Sequence, residues 1–213
     1  MTGNSKFKKF LIHMDRYFVL GLSILLLAFS VRFIIGSWQF KSRLISKNPD
    51  LFKSGEIVKI EKVVDADEMS VSNKAGKRTL VRLLGIKSFD PFAGAFLFPR
   101  FGEQCFNFIK SNYEGKKAKI ILMEKAKDKR GRLLAYVHVD SGRETEKYSV
   151  DIAKEILKRG LTMVYTRYEF SREKEYLKIE HQAVNSGLGI WSHEKSRSLA
   201  ISLKQMWYSE RKR

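Results

Sequence analysis

Cysteine is nearly absent from this chain. Cys105 is the only one, so no internal disulfide exists, and a lone thiol of this kind is most often core. Histidine is sparse as well: His13, His138, His181 and His193 show no paired ligand spacing, which argues against a zinc site. Acidic residues are short too, with 23 Asp and Glu against 41 Lys and Arg. The resulting formal net charge of +18 favours an anionic partner, and charge alone does not choose between nucleic acid and the face of an anionic membrane. No internal repeat or low-complexity segment stands out.

A long apolar run occurs once. Residues 17–36 are apolar apart from Ser23, Ser30 and Arg32, and about twenty helical residues at about 1.5 Å each span about 30 Å, the thickness of a bilayer's hydrocarbon. Arg32 can snorkel to the headgroups, and Trp38 sits at interfacial depth. A cleaved signal peptide competes with this reading. Lys6, Lys8 and Lys9 make a basic start, and Ala28-Phe29-Ser30 carries small residues at cleavage spacing. Phe33-Ile34-Ile35 continues the apolar run past such a cut, which favours a single-pass anchor. Lys6, Lys8, Lys9 and Arg16 balance Lys41, Arg43, Lys47 and Lys53, so the positive-inside rule gives no orientation. The expected plan is a basic segment 1–16, an anchor 17–36, a polar linker 37–54, one domain 55–192 and a basic tail 193–213. The tail's Leu199, Leu203, Met206 and Trp207 suit an amphipathic helix on an anionic surface, and equally a solvated extension.

Within the domain, periodicity predicts five strands and about three helices, an α+β class with an OB-type β-barrel. The strands are Glu56–Val64, Met69–Ser72, Thr79–Leu84, Ala118–Met123 and Leu133–Val139. The helices are Glu103–Asn112, Ser149–Arg159 and Ser171–Asn185, with Ser149 and Ser171 as N-caps and Gly160 as a terminator. Val150, Ala153, Ile156 and Leu157 form the apolar stripe of the second helix.

Three segments carry chemistry: Val64-Asp65-Ala66-Asp67, Val81-Arg82-Leu83-Leu84-Gly85-Ile86-Lys87-Ser88-Phe89-Asp90, and Asp128-Lys129-Arg130-Gly131-Arg132-Leu133-Leu134-Ala135-Tyr136. Phosphodiester hydrolysis needs an acidic seat for a divalent cation, a base for water, and fixed positive charge on the phosphorane oxygens. Arginine suits the last role through its bidentate fork. Asp67 with Asp65 can seat a metal, Arg82 and Arg132 can grip phosphate, and Asp90 is the candidate base. A polar turn at Asp65–Glu68, a structural pair between Arg82 and Asp67, and a solvated Arg132 are the bland alternatives.

In this order the segments resemble the staphylococcal nuclease family, whose signature reads D-G-D-T, then R-L-L-x-x-D-T-P-E, then D-K-Y-G-R-x-L-A-Y. Phe101-Gly102 and Gly189-Ile190-Trp191-Ser192 extend the likeness, which runs from about Gly55 to Ser192. The resemblance implies a calcium-dependent nuclease, or another divalent cation in calcium's place. It places Asp67 on a metal carboxylate and Arg82 and Arg132 on the phosphate arginines. Four departures follow: Lys87 stands where the family has its second metal carboxylate, Ser88 replaces Thr, Phe89 replaces Pro, and Asp90 replaces the catalytic Glu. Arg130 also stands where the family has a substrate-facing Tyr.

An ammonium in place of a carboxylate changes the local charge by two, and each unit pair at about 4 Å is worth about 4 kcal/mol at an effective dielectric near 20. A calcium site, which wants several hard oxygens, loses affinity accordingly. Asp90 is one methylene shorter than Glu, and small misplacements cost about a hundredfold. Lys87 can instead hold a phosphate as a point charge. The sequence therefore predicts phosphate or nucleic-acid binding through Arg82, Lys87 and Arg132, with weak or absent cleavage. An active metal-dependent nuclease and a protein or lipid interaction module on the same fold are the alternatives. Between Ser88 and Phe101 an apolar loop with Phe89, Phe92, Phe96 and Phe98 can fold onto its own barrel, stack on bases, or meet a membrane or protein partner.

Overall fold

The computed structural model describes residues 20–32, 51–89, 99–142 and 147–211. It divides into two units, Met1–Leu44 and Ile45–Arg213.

In the first unit a helix, α1, spans residues 20–32. At about 1.5 Å per residue it is about 20 Å long. Its leucines, Ile24 and Phe29 are exposed. No helix among the described residues is long and apolar enough to cross a membrane. The span expected at 17–36 runs past the described residues at both ends, as do the linker and Trp38.

Among its described residues the second unit has eight strands: β1 Ile57–Asp65, β2 Glu68–Ser72, β3 Arg78–Leu83, β4 Ile86–Lys87, β5 Lys117–Lys127, β6 Leu133–Val139, β7 Val150–Asp151 and β8 Met163–Val164. The sheet order is β3-β2-β1-β5-β6-β7, and a parallel pairing of β3 with β6 closes the first five into a barrel. Closure leaves no free edge among those five strands. Val58 and Ile60 point inward, and a register shift between Ile60 and Lys62 lets Val63 join them. A bulge of this kind adds one residue and resets the alternation.

Among the described residues four helices accompany the barrel: α2 Pro99–Tyr113, α3 Ile152–Lys158, α4 Glu173–Asn185 and α5 Glu194–Arg211. On α2, Cys105, Ile109 and Tyr113 recur every fourth residue and are buried, a stripe that packs on the barrel. Ser149 and Ser171 are not the N-caps. Val150 and Asp151 pair with β6, so α3 begins two residues later than Ser149 would place it. Asp151 caps it, its carboxylate accepting from the backbone N–H groups of Ala153 and Lys154. Ser171 instead hydrogen-bonds Tyr136, and α4 starts without a side-chain cap.

A second apolar cluster lies beside the barrel core. Phe89, Met163, Ala183, Ile190, Trp191, Ala200 and Trp207 are buried together in it. The basic tail supplies part of it: Ser196, Ala200, Leu203 and Trp207 follow helical spacing along α5 and face the domain. Lys204 pairs with Glu180, and Arg211 with Glu173 and Glu169. The apolar positions of this helix meet the protein's own core, and its outer face carries Ile201, Met206 and Tyr208.

Candidate functional site

The β1–β2 turn, the end of β3 and the β5–β6 loop meet at one rim of the barrel because the register requires it. Glu68 pairs with Arg82 across β2 and β3. Arg82 pairs in turn with Leu134 of β6, two residues beyond Arg132. Asp65 faces Glu68 across a two-residue turn, in which the Ala66 N–H donates to the Asp65 carboxylate at 2.7 Å.

Asp67 is buried in that turn. Its Oδ2 accepts from Arg82 Nη2 and from the Ser88 backbone N–H, each at 3.4 Å, and its own carbonyl accepts from Leu83 N–H at 2.8 Å. Both contacts to the carboxylate are long, so Arg82 is restrained only loosely. Its side chain stays 19% exposed.

Arg132 is held far more firmly. The loop Asp128–Arg132 is an acid-centred turn: Asp128 Oδ1 accepts from the backbone N–H groups of Arg130 and Arg132 at 2.9 and 3.0 Å. Gly131 supplies the positive φ, +76°, that closes it. Asp128 Oδ2 then takes Nε and Nη2 of Arg132 at 2.7 and 2.5 Å, and Nη1 is paired with Glu68. The Arg132 side chain is only 8% exposed. Burial opposes its charge, but hydrogen bonds and charge from Asp128 and Glu68 outweigh that and hold its pKa above the ordinary value. Burial would likewise raise the Asp128 carboxyl, and the bonds from Arg132 win, lowering it.

Lys87 lies in β4, where its carbonyl accepts from the Thr162 hydroxyl at 2.8 Å. Among the described residues its ammonium has no hydrogen-bond or ion-pair partner. Gly85 makes the swing from β3 to β4 with φ +81°. A Cβ there would meet the Phe170 ring at 2.4 Å, so only glycine brings Ser88 back beside Asp67. Phe89 then enters the second cluster and anchors the segment. Asp90 and the apolar loop through Phe98 lie outside the described residues.

The structure therefore gathers Asp65, Asp67, Arg82, Lys87 and Arg132 on neighbouring turns and strand ends. Sequence reasoning missed Glu68 as a partner of Arg132. The alternation in β2 and β3 was its only signal, and that alternation does not fix register.

The three segments at this rim fall within a known family's match. The staphylococcal nuclease homologue family matches residues 64–193, more than half of the chain. The chain belongs to that family. It is 24% identical over 168 residues to a thermonuclease of Staphylococcus hyicus, covering 79% of this chain and 92% of that protein. It is 28% identical over 142 residues to a thermonuclease of Staphylococcus intermedius, covering 67% and 77%. An uncharacterized protein of Methanocaldococcus jannaschii is 26% identical over 152 residues, covering 63% and 70%.

Membership in the staphylococcal nuclease family is compatible with a divalent cation, and the donors can be tested against one. Calcium takes about six to eight oxygen ligands. Among the described residues no group of three His, Cys, Asp or Glu side chains could hold a metal ion. Asp67 is already engaged by Arg82 and by the Ser88 N–H, and an ammonium follows in the next strand at Lys87. Among the described residues the donors do not fit calcium.

Cys105 offers no alternative chemistry. Burial first, then the charges of Asp67 and Asp65, push its thiol pKa far up, so it is a core thiol.

Proposed function

We propose that this chain is a membrane-anchored member of the staphylococcal nuclease family that binds phosphate or nucleic acid and has weak or absent phosphodiester cleavage. The observation that carries the reading is the pairing pattern at the rim. Arg82 is loosely restrained and partly exposed, and Lys87, in the strand that follows, has no anionic partner among the described residues. Those two cations are what an anion meets. Arginine offers a phosphate two parallel hydrogen bonds, and lysine adds a point charge. The net charge of +18 supplies long-range attraction.

Weak cleavage follows from what replaced the hydrolytic parts. Asp67 accepts from Arg82 and from the Ser88 N–H, Lys87 stands in place of the second metal carboxylate, and the base position holds the shorter Asp90. The exposed apolar helix α1, embedded in a longer apolar sequence, supports the anchor, since contiguous exposed apolar surface marks lipid or protein contact.

Restoring the family's acids tests the account of lost chemistry. Lys87→Asp together with Asp90→Glu is expected to raise calcium-dependent cleavage of single-stranded DNA at least about a hundredfold over the parent chain. Unchanged cleavage in a folded variant would show that these two positions are not what disables hydrolysis.

A further inference from the structure

Arginine presents five N–H donors on a planar fork with two edges that accept a carboxylate or phosphate. On Arg132 the first edge, Nε with Nη2, is taken by Asp128. That carboxylate is part of the turn itself, accepting from two of its backbone N–H groups. On the other edge, a donor of Nη1 is taken by Glu68. Glu68 comes from a different strand, and among the described residues Arg132 is the hydrogen-bond partner of its carboxylate. Both side chains are largely withdrawn from water, at 8% and 12% exposure. The family signature has Thr where this chain has Glu68, so the carboxylate is a charge that the resemblance does not supply.

We infer that Glu68 sets the phosphate affinity of this site by occupying Arg132 in place of a ligand. The inference rests on the phosphate-binding reading above and specifies which cations serve it. In the resting chain an incoming phosphate meets Arg82 and Lys87. With that guanidinium only 8% exposed, it gains Arg132 by displacing Glu68, which leaves a carboxylate without its partner. Asp128 is not displaced in that exchange because the turn depends on it. Glu68 therefore acts as a built-in competitor, and it is the one member of the rim whose removal adds a donor for phosphate without dismantling a backbone turn.

A double-mutant cycle on the full chain tests this, with inorganic phosphate and a single-stranded oligonucleotide as probes at low salt. Glu68→Gln keeps the shape and removes the charge, and Glu68→Thr keeps strand propensity, so the two variants guard against a folding artefact. Each is expected to tighten binding at least about tenfold. In an Arg132→Ala background the same substitutions are expected to give about twofold or less. An equal gain in the absence of Arg132 would mean that Glu68 acts only through its field, and would overturn the inference. Absence of any gain in folded variants would overturn it as well. The phosphate-binding reading fails by a different observation, unchanged oligonucleotide affinity in Arg82→Ala, so the two failures are separable.

Discussion

His138 illustrates how a residue with no ligand spacing still carries a measurable role. Its Nε2 lies 2.8 Å from Arg172 Nη1 and 3.9 Å from Asp151, with Lys154 also acting on it. Asp151 accepts from Arg172 and from the Tyr176 hydroxyl, each at 2.9 Å, while capping α3. Arg172 stacks on the Tyr136 ring at 4.2 Å. Burial first, opposed by Asp151 and assisted by Arg172, lowers the His138 pKa below its ordinary 6.5. A depressed folded pKa means that the fold favours the neutral ring. Its contribution is complete above pH 6.5 and is lost as pH falls toward the folded value. The melting temperature is therefore expected to drop from about pH 7 to pH 5, and His138→Gln is expected to flatten that slope. An unchanged slope in the variant would assign the acid sensitivity to other groups.

At the scale of elements, the turn from β3 to β4 is the most constrained part of the rim. Gly85→Ala forces a positive φ on an L residue and drives a Cβ into Phe170. It is expected to cost more than about 2 kcal/mol in denaturant unfolding and to weaken oligonucleotide binding by moving Lys87. A neutral substitution would mean that the turn relaxes freely. The five barrel strands and three helices were legible in the sequence because their apolar periods are regular, and observed and expected bounds agree at Leu133–Val139 and at the C-terminal end of α4. The short strands β4, β7 and β8 were not legible. Two residues carry no period, and each of these strands is made by a partner distant in sequence: Lys87 by Met163, and Asp151 by His138. The same reasoning covers the site. Asp67, Arg82, Lys87 and Arg132 were legible as motif positions, whereas the Glu68–Arg132 pair depends on strand register and on a closed barrel.

At the scale of the whole molecule, the second unit has two cores joined by the segment that carries Lys87. Phe89 leaves the rim and enters the cluster that α5 completes beyond the family match at residue 193. Trp207 stacks edge-on against Tyr165 at 4.9 Å and is 6% exposed. Trp207→Ala is expected to destabilise the domain by about 3–5 kcal/mol, read from the denaturant midpoint, and a change below about 1 kcal/mol would show α5 to be only loosely attached. A tail that in sequence suits an amphipathic helix on an anionic surface or a solvated extension is thus structural, because four of its side chains share one helical face that packs on the domain. In the proposed reading the rim keeps anion binding and has largely lost hydrolysis. Its most direct test mixes the full chain with single-stranded DNA or RNA, in calcium or EDTA across a salt series, and scores binding and cleavage together, with Arg82→Ala and Asp67→Ala in parallel. The account predicts salt-steep binding that weakens about tenfold in Arg82→Ala, with little or no metal-dependent cleavage. Robust calcium-dependent cleavage abolished by Asp67→Ala, or no binding to either nucleic acid, would contradict it.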